Sequence, residues 1–196
     1  MIVAADGTPV RVNAGFGQEI DPLTLERVRR GDMQAFAALY RVYARACYNL
    51  ALRILGETAA AEDIVQDVFL RLMTRMRGFR GDAPFGAWLK RLTVNATIDV
   101  VRRNRRYGSD DAEAVLAATA AVHVDGDDAV DAWSLLQRLP ARARAVVLLH
   151  EVEGYTHKEL AELFGQSESY SKSILARALK RLETMTNDAE GCEEAG

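Results

Sequence analysis

The stretch Thr156–Leu182, THKELAELFGQSESYSKSILARALKRL, decides what kind of fold this chain adopts. Thr156-His-Lys-Glu159 has the form of a capping box, in which the Thr hydroxyl accepts a backbone N–H and the Glu reaches back to another. A helix therefore starts there. Leu160, Leu163 and Phe164 recur at helical spacing, and Ala161 is small where a second helix must cross close by. Gly165 can take the left-handed conformation that ends a helix in a sharp turn, and Ser167 or Ser169 can cap the next helix. At about 100° per residue, Ser171, Leu175, Ala178 and Leu182 share one side of that helix, with Leu179 beside them. Tyr170, Ser173, Arg177, Lys180 and Arg181 share the other. An apolar side backing a Ser, Tyr, Arg and Lys face, after a tight Gly turn, is what a helix-turn-helix needs to read a major groove. An ordinary amphipathic hairpin with a solvated basic face carries the same pattern, so this stretch alone leaves both readings open.

Working outward, apolar residues at three- and four-residue spacing recur through almost the whole chain, and the only strand signal is Thr8 to Val12. The expected class is all-α: two small helical domains joined by an acidic linker, the second a helix-turn-helix. The first domain, residues 22–106, takes helices over about Pro22 to Arg30, Met33 to Leu55, Ala59 to Met76 and Phe85 to Arg105, punctuated by Gly31, Gly56, Gly78 and Gly81. Residues 107–130 are rich in Ala and Asp and too polar to pack densely, which predicts a linker. The second domain, residues 131–184, takes helices over Asp131 to Arg138, Pro140 to Glu151 with a first-turn proline, and then the pair above. Residues 185–196 read as a disordered acidic tail, and residues 1–21 as an extension with no assignment.

Charge is sorted along the chain, so the net −3 over 196 residues misleads. Between Arg71 and Arg106 ten Arg or Lys face only Asp82 and Asp99, whereas every charge from Tyr107 to Trp133 is negative. A mildly acidic whole can thus carry a basic nucleic-acid footprint. Cys47 and Cys192 suggest neither a disulfide nor a metal cluster, and His123, His150 and His157 repeat no metal-ligand spacing, so no metal and no cofactor are expected. Met1 to Gln18 lacks the basic start and unbroken apolar run of a signal peptide, and no apolar run approaches a membrane span. A cytoplasmic protein without membrane insertion is expected. Neither a phosphate-cradling Gly loop nor a nucleophile–base set is legible, which argues against an enzyme.

Two further runs add chemistry. In Ala61–Met73, AEDIVQDVFLRLM, one stripe of Ile64, Val65, Val68, Phe69, Leu72 and Met73 is core, while Asp63, Gln66, Asp67 and Leu70 form a second, acidic and partly apolar stripe that a solvated face does not require. In Phe79–Asn95, FRGDAPFGAWLKRLTVN, a loop with two aromatics and a Pro leads into a helix whose Leu89, Leu92, Ala96 and Val100 face the core. Arg91, Asn95, Ile98 and Arg102 line its other side. Aromatics and an amide beside a basic helix can hold an unstacked base while arginines hold phosphates, although Phe79, Phe85 and Trp88 could equally be core rings.

The runs Ala61–Phe69, Phe85-x-x-Trp-Leu-x-x-Leu-x-x-Asn95 with the following Arg cluster, Leu139-Pro140, and Glu159-Leu-Ala161 with Arg177-Ala178 resemble, in order and spacing, the extracytoplasmic-function sigma factors of the sigma-70 family. The resemblance spans about Ala35 to Leu182 and implies core RNA polymerase and promoter DNA as partners, with room for an anti-sigma factor. It implies that Asp63, Gln66, Asp67 and Leu70 dock on the polymerase. It implies that Phe79 to Pro84, Arg80 included, and Asn95 take a flipped base of the minus 10 element, with Lys90, Arg91, Arg102 and Arg103 near the backbone. Lys172, Ser173 and Arg177 match the minus 35 recognition helix, with Tyr170, Lys180 and Arg181 on the same face. The acidic linker matches the segment that threads toward the polymerase cleft. Gln166 and Ser171 stand where many members of that family carry aliphatic residues. A stand-alone helix-turn-helix regulator explains the second domain but neither the acidic stripe nor the basic segment, and a sigma mimic lacks room for an added regulatory domain.

Overall fold

The computed structural model describes residues 15–106 and 127–193, and every element among them is helical. Helices α1 (Pro22–Arg29), α2 (Met33–Leu55), α3 (Thr58–Arg75) and α4 (Phe85–Arg106) form the first unit, with a 3₁₀ turn at Met76–Gly78. The second holds α5 (Asp127–Gln137), α6 (Ala141–Val147) continued by a π-helical turn at Leu148–Val152, α7 (His157–Phe164) and α8 (Glu168–Glu193). The local reasons are those the sequence carries. The Asp32 carboxylate caps α2 by accepting from the Gln34 and Ala35 N–H groups, and both halves of the Thr156–Glu159 capping box form at α7. Gly165 ends α7 at φ +62°, which costs glycine nothing and any other residue strain. Ser167 rather than Ser169 caps α8, its Oγ accepting from the Tyr170 N–H at 3.1 Å.

In the first unit α2, α3 and α4 pack on one another around Leu39, Tyr43, Cys47, Val68, Leu72 and Leu89, all with no exposed surface. Trp88 packs against the same cluster, as a core ring. Met73 is corrected: one position beyond Leu72, it turns off the stripe and stands exposed.

The second unit is not independent of the first. One apolar cluster combines Leu50 and Ile54 of α2 and Val94, Ile98 and Val101 of α4 with Leu149, Leu160, Phe164 and Leu175. Ile98, expected on the outer side of α4, is 1% exposed because α6 and α7 cover that side.

The expected linker falls largely on residues 107–126, outside the described residues, as does the strand signal at Thr8 to Val12; α5 begins at Asp127, four residues before the expected Asp131. The expected disordered tail is corrected, since α8 runs on to Glu193. Met185 is buried, and the Thr184 and Thr186 hydroxyls donate to the Lys180 and Leu182 carbonyls, which accommodates two poor helix formers. Residues 15–20 of the extension also have a place, packed on the first unit through Phe16 and Ile20.

Candidate nucleic-acid and polymerase interface

Three faces correspond to the three sets of site residues. On α3, Asp63 and Gln66 are exposed and Leu70 is 65% exposed, so the second stripe does face solvent. Asp67 is different. Its carboxylate pairs with Arg71 one turn on at 2.6 Å, and Arg71 leans 3.9 Å toward Asp99 of α4, so the stripe's negative charge is concentrated at Asp63. Exposed Tyr40 of α2 and Met73 extend the apolar part of this face, and Tyr40 lies 4.8 Å from the Phe69 ring. Sequence reasoning misses both: nothing in the helical pattern marks Tyr40, and Met73 reads as an inward residue. An exposed apolar patch beside an unpaired-charge face is the composition of a docking surface.

The loop after α3 is held at its base. Phe79 is 7% exposed, with its ring 5.5 Å from Phe85 and 5.4 Å from Trp88. Arg29 of α1 donates to the Phe79 carbonyl and lies over its ring at 5.8 Å. Phe79 is thus packed as a core ring in the unbound chain, the alternative that the sequence left open beside base holding. Arg80, Asp82, Ala83 and Pro84 are exposed in the same loop. On α4, Asn95 is half-buried, while Arg91, Arg102 and Arg103 are exposed. Arg103 donates to the Asp99 carbonyl on its own helix at 3.3 Å.

Lys90 is not free. It pairs with Glu153, just beyond the π-helical turn of the second unit. The Arg91 charge also acts on Tyr155 and Glu159, and the Arg102 guanidinium stands 3.5 Å from where a Cβ on Gly165 would be. Three of the four α4 cations expected at the DNA backbone thus face the second unit. A further tie between the units is Arg144 of α6, buried in the seam. It donates to the Ile54 carbonyl at 2.9 Å, the Leu55 carbonyl at 2.7 Å and the Gln137 carbonyl at 3.2 Å. Ile54 and Leu55 end α2, where carbonyls lack helical partners and the dipole favours a cation. Burial pushes the Arg144 pKa down to about 10, so it remains charged at neutral pH. In sequence it is one of two arginines in an Ala-Arg-Ala-Arg run, which reads as a solvated face.

On α8, Lys172, Ser173, Arg177, Lys180 and Arg181 are all exposed, and Ser171, Ile174, Leu175 and Ala178 are buried. The outward face is as expected apart from Tyr170, which is half-buried with its ring 5.0 Å from the buried Arg142 guanidinium. Phe164 takes the same cation at 5.2 Å, so Arg142 bonds the two helices of the motif from behind. Ser171, one of the two departures from the family pattern, is explained by His157, whose Nδ1 lies 3.1 Å from its Oγ and ties the start of α7 to α8. His157 in turn stacks on His150 at 4.5 Å, and burial together with the His150 and Lys172 charges holds its pKa below the ordinary value.

These faces coincide with segments shared with known proteins. A profile for Sigma-70 region 2 matches residues 39–107, and one for Sigma-70, region 4 matches residues 130–182. The chain is 34% identical over 174 residues to the ECF RNA polymerase sigma factor SigM of Mycobacterium tuberculosis, covering 86% of this chain and 87% of that protein. It is 28% identical over 178 residues to the ECF RNA polymerase sigma factor SigW of Bacillus subtilis, covering 84% and 95%. Among solved structures, the sigma factor RpoE of Bartonella quintana, determined in complex with the anti-sigma factor NepR, has the same fold at a TM-score of 0.55. That likeness is at 23% identity and covers 78% of this chain and 96% of RpoE. Both regions lie in the same chain, in order, in separate helical units, and a relative above 30% identity matches nearly end to end; the chain belongs to the ECF sigma factors of the sigma-70 family.

Proposed function

We propose that this chain is a transcription initiation factor that binds core RNA polymerase through the α3 face and directs it to promoters through α4 and α8. The observation that carries the reading is the pairing of an outward acidic and apolar face, Asp63, Gln66 and Leu70, with the outward cations of α8 and the cation-bearing helix α4, in the segments that match regions 2 and 4. In this reading the minus 10 element is taken by Asn95 and the exposed loop Arg80 to Pro84, with Arg91, Arg102 and Arg103 on the phosphates. Lys90 joins them only when its pairing with Glu153 is released. The minus 35 element is read by Lys172, Ser173 and Arg177, with Lys180 and Arg181 beside the backbone and Tyr170 holding the helix from behind. An anti-sigma factor, the partner of RpoE in its solved complex, is a further partner of this chain in the same reading. It acts in the cytoplasm, where polymerase is. No helix among the described residues is long and apolar enough to cross a membrane.

The test is co-purification of the full chain with core polymerase. Asp63→Lys with Asp67→Lys reverses the stripe's charge at exposed and half-exposed positions, so helicity is retained while core binding is lost. Undiminished binding by that variant removes α3 from the interface.

A further inference from the structure

The segment Gly15–Ile20 lies before both family matches, yet it is built into the fold. Ile20 packs on the first unit's core, and the fully buried Tyr43 donates its hydroxyl to the Gln18 carbonyl. The Phe16 carbonyl oxygen lies only 1.7 Å from where a Cβ on residue 86 would stand. Gly86 sits in the first turn of α4, where a glycine is a poor helix former; its missing side chain is what lets the segment's backbone lie against the helix. Phe16 also packs against the cluster that the two units share. Gly15, Phe16 and Gly17 wall a cavity of about 450 Å³ together with Arg53, Lys90 and Glu153, so the segment borders the seam where Lys90 and Glu153 pair.

We propose that Gly15–Ile20 is an intramolecular strap that holds the two units closed on each other, with Gly86 as its seat and Phe16 as its wedge at the seam. While the strap is seated, Phe16 backs Leu50 and the Lys90–Glu153 pair, and the α4 cations stay turned toward the second unit. Lifting it removes apolar contact from both clusters at once, and the seam then relies on Arg144 and the remaining apolar contacts. The units part more easily, and α4 becomes open to a polyanion.

Small-angle X-ray scattering of the full chain tests this with two variants, Gly86→Ala and Phe16→Ser, each checked for unchanged helicity by circular dichroism. Alanine is the better helix former, so the first variant keeps α4 while its Cβ displaces the Phe16 backbone. The expected result is a larger radius of gyration for both variants. Wild-type dimensions for both, with helicity intact, overturn the strap; if Gly86→Ala does not fold, Phe16→Ser decides in the same way. A second arm measures affinity for a short duplex of random sequence and rests on the proposed DNA-binding function. Several-fold tighter binding by the expanded variants supports both ideas. Expansion without tighter binding supports the strap and counts against the DNA role of the α4 cations.

Discussion

Replacing Arg144 with Met keeps most of the side chain's volume and removes its guanidinium, which isolates the contribution of the inter-unit bonds. Three carbonyls lose a charged donor, two of them at the end of α2 and one on Gln137. An orphaned buried acceptor costs about 1–3 kcal/mol, and water that enters a loosened seam recovers part of this, so the expected loss is about 2–4 kcal/mol. At about 3 kcal/mol the equilibrium shifts roughly 150-fold, enough to uncouple the second unit from the first. The assay is equilibrium urea unfolding followed by circular dichroism and by Trp fluorescence, with Trp88 in the first unit and Trp133 in the second. The wild type is expected to give one coincident transition, and Arg144→Met an early transition of the second unit. Arg144→Lys retains a charge but cannot span both α2 carbonyls, so it rescues only part. Because Arg144 is protonated in both folded and unfolded chains below its lowered pKa of about 10, the difference between wild type and Met variant stays flat across the neutral range. A loss under about 0.5 kcal/mol with transitions still coincident would refute the view that this residue holds the units together.

Four further outcomes are expected. Thr156→Ala removes the α7 cap and lowers stability by about 1 kcal/mol in thermal melts, whereas Thr156→Ser restores it. The Glu159 carboxylate accepts from the Thr156 N–H and hydroxyl, which holds its pKa below the ordinary 4.5; its support is therefore present above that value and lost as pH falls through the folded one, and Glu159→Gln abolishes this acid dependence. Arg177→Ala is expected to lower transcription and to flatten preference at one or two minus 35 positions, by the roughly 1–3 kcal/mol of a bidentate guanine contact, while Lys180→Ala weakens all sequences alike and reduces salt dependence. One common factor across a panel of single-base promoter variants would instead give Arg177 a backbone role. Asn95→Ala is expected to impair opening of duplex promoters more than use of templates already unpaired at the minus 10 element, and equal impairment on both would remove it from base capture.

What was legible in the sequence is what local chemistry determines. The Thr156–Glu159 box and Gly165 mark their own helix ends, and the six inward residues of Ala61–Met73 predict a core that the structure alters only at Met73. The outward cations of α8 were equally legible, since their helix has one solvent side. Contacts between distant segments were not. Ile98 looks like an outer-face residue until α6 and α7 cover it, and nothing near Lys90 in the sequence points to Glu153. Arg144 lies among small residues that give no hint of two carbonyls at the far end of α2. Phe79 could be a surface ring or a core ring by pattern alone, and Arg29, fifty residues earlier, decides it. The tail reads as disordered by composition, but α8 runs into it as far as Glu193, with Met185 buried and two Thr back-bonds near its start.

Promoter choice conferred on polymerase by this chain is read out by transcription with purified components. Core RNA polymerase is incubated on genomic fragments with and without the full chain, and the 5′ ends of the transcripts are mapped. Discrete starts are expected to appear only with the chain, to share paired upstream elements at one spacing, and to vanish with the Asp63→Lys and Asp67→Lys double variant. Transcripts that start at the same dispersed positions whether or not the chain is present would contradict promoter choice by this chain.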